Sequence, residues 1–550
     1  MFYDNKLWIG KSGDEKAYIY PQMANRHGLI AGATGTGKTV TLKVLAESFS
    51  DAGVPVFLSD VKGDLAGMMK KGADSEDMQK RIKNFGLDEA GFTFKEYPTA
   101  FWDIYGESGI PLRTTVSEMG PILLSKIMGL NETQSDILTC LFKMADDENL
   151  LLLDIKDLKA MLQYASDNAA ELSQEYGNIN KTSVAAIIRA VVALEASGAD
   201  GFFTEPAINI TDFFKTDLDG RGTINILDGR KLATDPTLYA AFLMYLLSEL
   251  FETLPEIGDP KKPRMIFFFD EAHLLFDDLS KELQQKIEQI VKLIRSKGVG
   301  LYFITQSPRD IPDGVLSQLG NKIQHALHAY TPSEEKAIKT AADSFRTNPE
   351  FDTKTALTEL GVGEALVSVL DEEGIPTIVK RCKILPPQSL MGPVTDDEKK
   401  SEFMANNLYL TYKDAKDPDS AYEYLERLKS QRQLAESEAA AAGVSAAGGA
   451  ATAAGAATLA GADGVELTAT QKAKIAAEEA KAAKLAAKEA EKRKKQVKKV
   501  AGSVASTAAG TVGREIGQNL GKGLGGSFGK KVGGNVMSQL GRSLMGTLFK

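Results

Sequence analysis

Short, almost wholly apolar runs alternate along the first two thirds of the chain with stretches whose apolar positions recur every three to four residues. The clearest runs are GLIAGA (28–33), VPVFLSD (54–60), TINILD (223–228), RMIFFFD (264–270) and GLYFITQ (300–306). Runs of this length, bounded by polar or turn-forming residues, read as strands buried on both faces, and the amphipathic stretches between them as helices. From residue 27 to about 390 the alternation predicts an α/β fold, a mainly parallel sheet flanked by helices. Between Pro111 and Ala199 the strand signals thin out and helical periodicity takes over, so a mostly helical insertion is expected there.

Past the proline-marked stretch LPPQSLMGP (385–393) the pattern changes again. The expected organisation is a first part of the core over 1–110, the helical insertion over 111–200, a second part of the core over 201–393 and a helical extension over 394–435. An Ala/Gly-rich linker over 436–470, a charged Ala/Lys/Glu helix over 471–500 and a glycine-rich tail over 501–550 follow. In the tail, apolar residues recur every four positions from Val512, Ile516 and Leu520 to Leu548, beside a row of glycines from Gly513 to Gly533. Small residues in such a row let helices approach closely, which favours self-association. Lying on an anionic membrane surface is a second reading, making a membrane surface a possible partner, and a passive flexible tail a third. Lys522, Lys530 and Lys531 argue against crossing a bilayer.

Composition narrows the class. With 550 residues, 43% of them hydrophobic, the chain can bury a large core. Cys140 and Cys382 lie too far apart in sequence to suggest a metal-ligand pair, and two cysteines make no disulfide framework. The opening MFYDNKLWIG carries Asp4 and Lys6 where a signal peptide would be apolar, and nowhere do 18 apolar residues run uninterrupted. A cytoplasmic protein is expected. The net charge of −9 disfavours an all-over basic coat but leaves room for nucleic acid held by a local patch or channel.

The chemistry concentrates in three places. Gly32, Ala33, Thr34, Gly35, Thr36, Gly37, Lys38 and Thr39 fit G-x-x-x-x-G-K-[ST], after the strand-like GLIAG and before the helical VTLKVLAESF. Glycine supplies positive φ cheaply, main-chain amides cradle phosphates, and the start of the following helix favours anions. Lys38 is expected to reach the β- and γ-phosphates of ATP, and Thr39 to place its hydroxyl on Mg2+. In RMIFFFDEAH, Asp270 falls at the carboxyl end of a buried strand as the second magnesium ligand, and Glu271 follows as the base that polarises water. Gln306, ending the next buried strand, is placed to sense the γ-phosphate or hold the attacking water. For Asp60, in SDVKGDL, a functional role and turn chemistry with Gly63 and Asp64 weigh about equally. His27, just before the first core strand, reads as a loop residue more readily than as a nucleotide contact.

Taken together, NRHGLIAGATGTGKT, SDVKGDL, RMIFFFDEAH and RSKGVGLYFITQSPRDIP resemble the HerA and FtsK group of P-loop motor ATPases, over about residues 20 to 393. The likeness is greatest to bacterial HerA-helicase-like proteins that also carry the LPPQSLMGP exit. The resemblance implies a RecA-like P-loop core, use of ATP and Mg2+, and a homo-oligomeric, hexameric ring that moves double-stranded DNA through a central channel. It also implies that Arg295, in LIRSKGVG, completes a neighbouring subunit's site as an arginine finger, and that Arg26 matches another basic position of the group. The sequence departs from HerA proper in having only some 25 residues, rather than a β-barrel, ahead of the first core strand, and no nuclease constellation accompanies the motor. Rival readings are a membrane-associated assembly or transport ATPase acting on protein, and a nucleotide-dependent scaffold.

Overall fold

The computed structural model describes residues 1–276, 281–329 and 331–448. The chain divides into two units, Met1–Gln431 and Arg432–Lys550, and the first carries the fold. The linker, charged helix and glycine-rich tail expected over 436–550 lie outside the described residues, apart from the helical stretch that ends at Gly448.

One sheet of thirteen strands organises the first unit. Its parallel centre comprises β4 (Gly28–Ala31), β5 (Val56–Asp60), β6 (Thr99–Asp103), β7 (Ile110–Pro111), β8 (Ile224–Asp228), β9 (Met265–Phe269), β10 (Val299–Thr305) and β11 (Asn321–His325), in the order β11-β4-β10-β9-β5-β8-β6-β7. Every residue of β4, β5, β8, β9 and β10 is buried, as the apolar runs require of strands covered on both faces. Stacked aromatic rings lock the middle strands: Phe57 on Phe267 at 4.7 Å and Phe269 on Phe303 at 5.3 Å between centroids.

Beyond β11 the sheet turns antiparallel through β12 (Glu364–Ser368) and β13 (Lys380–Ile384), and then through the chain's first residues. β1 (Phe2–Tyr3), β2 (Lys6–Ser12) and β3 (Glu15–Ile19) form a hairpin unit, with β2 paired to β13. These residues are therefore part of the sheet rather than a lead-in to it. The sequence does carry the signal: LWIGK and KAYIY flank Gly13, which turns the chain at φ 56°.

Helix α1 (Lys38–Asp51) follows the glycine-rich loop, and α2 (Glu76–Phe85) packs Ile82 and Phe85 into a cluster with Val40 and Val44 of α1. Between β7 and β8 the chain forms α3 (Val116–Ile127), α4 (Glu132–Glu148), α5 (Ile155–Asp167), α6 (Ala169–Tyr176) and α7 (Lys181–Ala196). Capping boxes start α3, α4 and α5, each with a side chain accepting from the amide three residues on. The apolar α8 (Pro236–Thr253) covers the sheet before β9. Among the described residues no helix is long and apolar enough to cross a membrane.

The LPPQSLMGP stretch docks on α1. Glu47, buried on that helix, accepts from the amides of Gln388 (2.8 Å) and Ser389 (3.1 Å) and from the Ser389 hydroxyl (2.5 Å), and Lys43 donates to the carbonyl of Leu390. Burial pushes the Glu47 carboxyl up while these hydrogen bonds, with Lys43, pull it back.

Candidate nucleotide site

The loop of residues 32–39 emerges from the carboxyl end of β4, where the backbone at and just past the ends of the neighbouring strands holds its first two residues. Gly32 N donates to Thr305 O (3.2 Å) and Ala33 N to Ala326 O (2.8 Å). At Gly32, φ is 152° and a Cβ would come within 2.5 Å of the His325 Cβ; Gly37 caps α1 at φ 111°. Both positions demand glycine, for clearance at the first and for left-handed backbone at the second. His325 braces the loop from behind, with Nε2 2.8 Å from the Thr41 hydroxyl and Nδ1 2.9 Å from Glu364 O. Burial pushes its imidazole down to about 4, so it serves as a neutral brace.

Lys38 is the first residue of α1. Its Nζ curls over the loop to donate to Gly32 O (2.6 Å) and Ala33 O (3.1 Å). Burial, and then the nearby Lys62, lower its ammonium from the ordinary value, while Glu271 and Asp270 oppose them. Thr39 follows, half-buried. The first amides of α1 have no carbonyl one turn earlier to bond, so with the loop amides they form an anion-binding nest.

Across the crevice, β9 delivers Asp270 and Glu271. Ala272 N reaches Ile304 O of β10 at 2.8 Å, which fixes the turn after the strand. Tyr239 of α8 donates to Asp270 O (3.0 Å), and its hydroxyl lies 2.7 Å from that of Ser59. Burial and the adjacent Glu271 push the Asp270 carboxyl up to about 7. Glu271 adopts φ 48°, a strained conformation for a side-chain-bearing residue and one that concentrates at functional sites. Its Oε1 pairs with Lys62 Nζ at 3.0 Å; its Oε2, buried, has no hydrogen bond among the described residues, and His273 Nδ1 lies 3.4 Å away. Burial alone would raise this carboxyl, but Lys62, His273 and Lys38 together hold it below the usual value. Glu271 is thus ionised and has an oxygen to spare.

An oxygen-only donor set of one hydroxyl and one carboxylate suits magnesium, which keeps waters and takes the rest of its shell from substrate phosphates. The buried Asp270 carboxyl, pushed towards its neutral form, fits a position that a cation would recharge. Thr39 and Asp270 are the residues that would hold it.

Gln306, exposed at the end of β10, shares a cleft of about 470 Å³ with Ala33 and His273. Arg295 sits elsewhere. It precedes β10, at the amino-terminal edge of the sheet, so a strand of about 20 Å separates it from its own chain's loop. There it pairs with Asp259 at 3.0 Å, and Arg26 approaches the same carboxylate at 3.9 Å. His27 is a core residue, accepting from Leu301 N at Nδ1 (3.0 Å) and donating from Nε2 to Val291 O (2.8 Å). Asp60 spends its carboxylate on the amides of Gly63, Asp64 and Leu65. That is turn chemistry, but the turn it builds presents Lys62 to Glu271. Sequence reasoning passed over Lys62 because only the pairing of β5 with β9 brings SDVKGDL beside DEAH.

The family model "Helicase HerA-like C-terminal" matches residues 5–533. The chain belongs to the HerA-like helicase family. With the phosphate loop and the carboxylate pair in place, it is a P-loop ATPase. The HerA-like chain is 25% identical over 392 residues to the DNA double-strand break repair helicase HerA of Sulfurisphaera tokodaii, covering 69% of this chain and 70% of the relative. It is 24% identical over 382 residues to the protein of the same description from Sulfolobus acidocaldarius, covering 68% and 67%. Among solved structures, the plasmid coupling protein TrwB with a non-hydrolysable ATP analogue aligns at a TM-score of 0.47 and 14% identity, over 72% of this chain and 98% of that one. VirB4 of Thermoanaerobacter pseudethanolicus aligns at 0.46 and 15%, over 69% and 96%.

Proposed function

We propose that the chain is an ATP-driven motor that assembles as a homo-oligomeric ring, of hexameric size, on duplex DNA. The observation that carries the hydrolytic part is the Glu271 carboxylate, ionised and with one buried oxygen lacking a hydrogen bond among the described residues. Such a group is built to take a proton from an attacking water, and a passive nucleotide-holding scaffold has no need of it. The loop amides and Lys38 grip the phosphates, Glu271 orients and deprotonates water, and Gln306 senses the γ-phosphate. Magnesium held by Thr39 and Asp270 would neutralise charge on the phosphate oxygens. Arg295 lies too far from its own loop to serve it, so its role as a finger belongs to a neighbouring copy, which is the argument for a ring. The DNA part rests on family membership and on the names its relatives carry.

ATP turnover measured with and without duplex DNA, at rising salt and beside Glu271→Gln, tests the reading. Duplex should raise turnover at low salt, the stimulation should fade as salt screens phosphate contacts, and Glu271→Gln should bind ATP without turning it over. Turnover indifferent to DNA at low salt would remove DNA from the function.

A further inference from the structure

A second cavity, of about 940 Å³, opens beside the phosphate loop on the side away from the carboxylates, within the usual size range for small-molecule sites. Its walls come from α2, from the loop that leads into β12, and from β13, with Arg81, Asn84, Val362, Gly363 and Arg381 among the lining residues. Three observations tie it to the loop. Gly363 N donates to Thr36 O at 3.0 Å, and Gly363 packs so close to Gly37 that a Cβ on Gly37 would lie 3.3 Å from its Cα. Arg81 Nη2 lies 2.9 Å from where a Cβ of Gly363 would stand. Val40, in the first turn of α1, shares an apolar cluster with Ile82 and Phe85, which flank Arg81 and Asn84 on α2.

The direction of a bound triphosphate follows from the chemistry at its other end. Lys38, Asp270, Glu271 and Gln306 belong with the γ-phosphate, so the α-phosphate falls at the first turn of α1 and whatever it carries must project towards α2 and residues 361–364. There the cavity offers a guanidinium with no hydrogen-bond or ion-pair partner among the described residues, and an apolar side chain, Val362, that is 80% exposed. Arg381, by contrast, is already paired with Glu364 at 2.6 Å. A planar, electron-rich ring is the ligand that uses a flat cation and an exposed aliphatic surface together.

We propose that this cavity is the nucleoside subsite of the ATPase, with the base packed against Arg81 and Val362 and its edge facing the Asn84 amide. The proposal deepens the nucleotide reading of residues 32–39 and rests on it. Equilibrium titration of the full chain with Mg·ATP and with Mg·tripolyphosphate, which has the phosphates but no nucleoside, separates the two. Arg81→Ala and Val362→Asp should each weaken ATP about tenfold while leaving tripolyphosphate affinity within about twofold. Lys38→Ala should weaken both ligands. ATP affinity unchanged in both Arg81→Ala and Val362→Asp, or ATP and tripolyphosphate weakened in parallel, would overturn the subsite. Unchanged ATP affinity in Lys38→Ala would instead overturn the phosphate-loop reading. Val362 is mostly exposed, so its substitution tests the cavity without disturbing the core.

Discussion

Carboxylates end or directly follow four of the central strands, β5, β6, β8 and β9, yet they live in different circumstances. Asp60, at the end of β5, accepts from three backbone amides, and Asp103, at the end of β6, accepts from those of Tyr105 (3.0 Å), Glu107 (2.8 Å) and Ser108 (2.8 Å). After β9, Glu271 follows on strained backbone with a cation on one oxygen and, among the described residues, no hydrogen bond on the other. In the proposed mechanism, the difference separates the acid that reacts at this sheet edge from those that fold the chain. A carboxylate whose lone pairs are consumed by its own turn has nothing left for water, whereas one whose valence is unspent can accept a proton.

The largest expected effect breaks the comparison at its reactive end. Glu271→Gln should cut ATP turnover by about 10²- to 10⁴-fold with nucleotide binding retained; steady-state hydrolysis beside calorimetric binding checks it. Next comes the cation that holds Glu271 ionised. Lys62→Ala removes the main group lowering that carboxyl, so its acidity weakens and the acid limb of the turnover–pH profile should move upward. A profile that stays in place would detach Lys62 from the chemistry.

At the satisfied end, Asp103→Ala should leave turnover within about twofold while costing about 2 kcal/mol of stability, because three amides lose their acceptor; denaturant unfolding beside the activity assay reads both. The smallest effect concerns the neutral buried groups. His27 and His325 are each pushed down to about 4 by burial. Below the ordinary histidine range the unfolded chain takes up protons that the folded chain refuses, so stability is full above about pH 6.5 and falls as pH drops towards 4. His27→Gln should flatten that decline in a series of melting temperatures against pH.

The same contrast explains what could be read from the sequence. Residues 32–39 and Asp270-Glu271 are legible because each is a contiguous pattern whose flanking strand and helix are also contiguous. Lys62 is not, since its meaning comes from β5 lying beside β9, a neighbourhood 209 positions removed along the chain from Glu271. Asp60 could not be resolved between two roles until its three amide donors were visible. The hairpin of β1–β3 was legible as alternation around a glycine turn, but its partner, β13, lies past residue 379. Arg295 illustrates a different limit: its local motif carries the resemblance, while its distance from the loop depends on which way β10 runs.

Glu47 gives α1 a second attachment. The rod whose tip meets the phosphates is tied near its far end to Gln388 and Ser389, and the tie cannot slip without leaving a buried carboxyl short of its donors. Any tilt imposed at the tip must therefore be shared with the segment leaving the sheet, which makes this stretch a mechanical follower of the grip on the nucleotide.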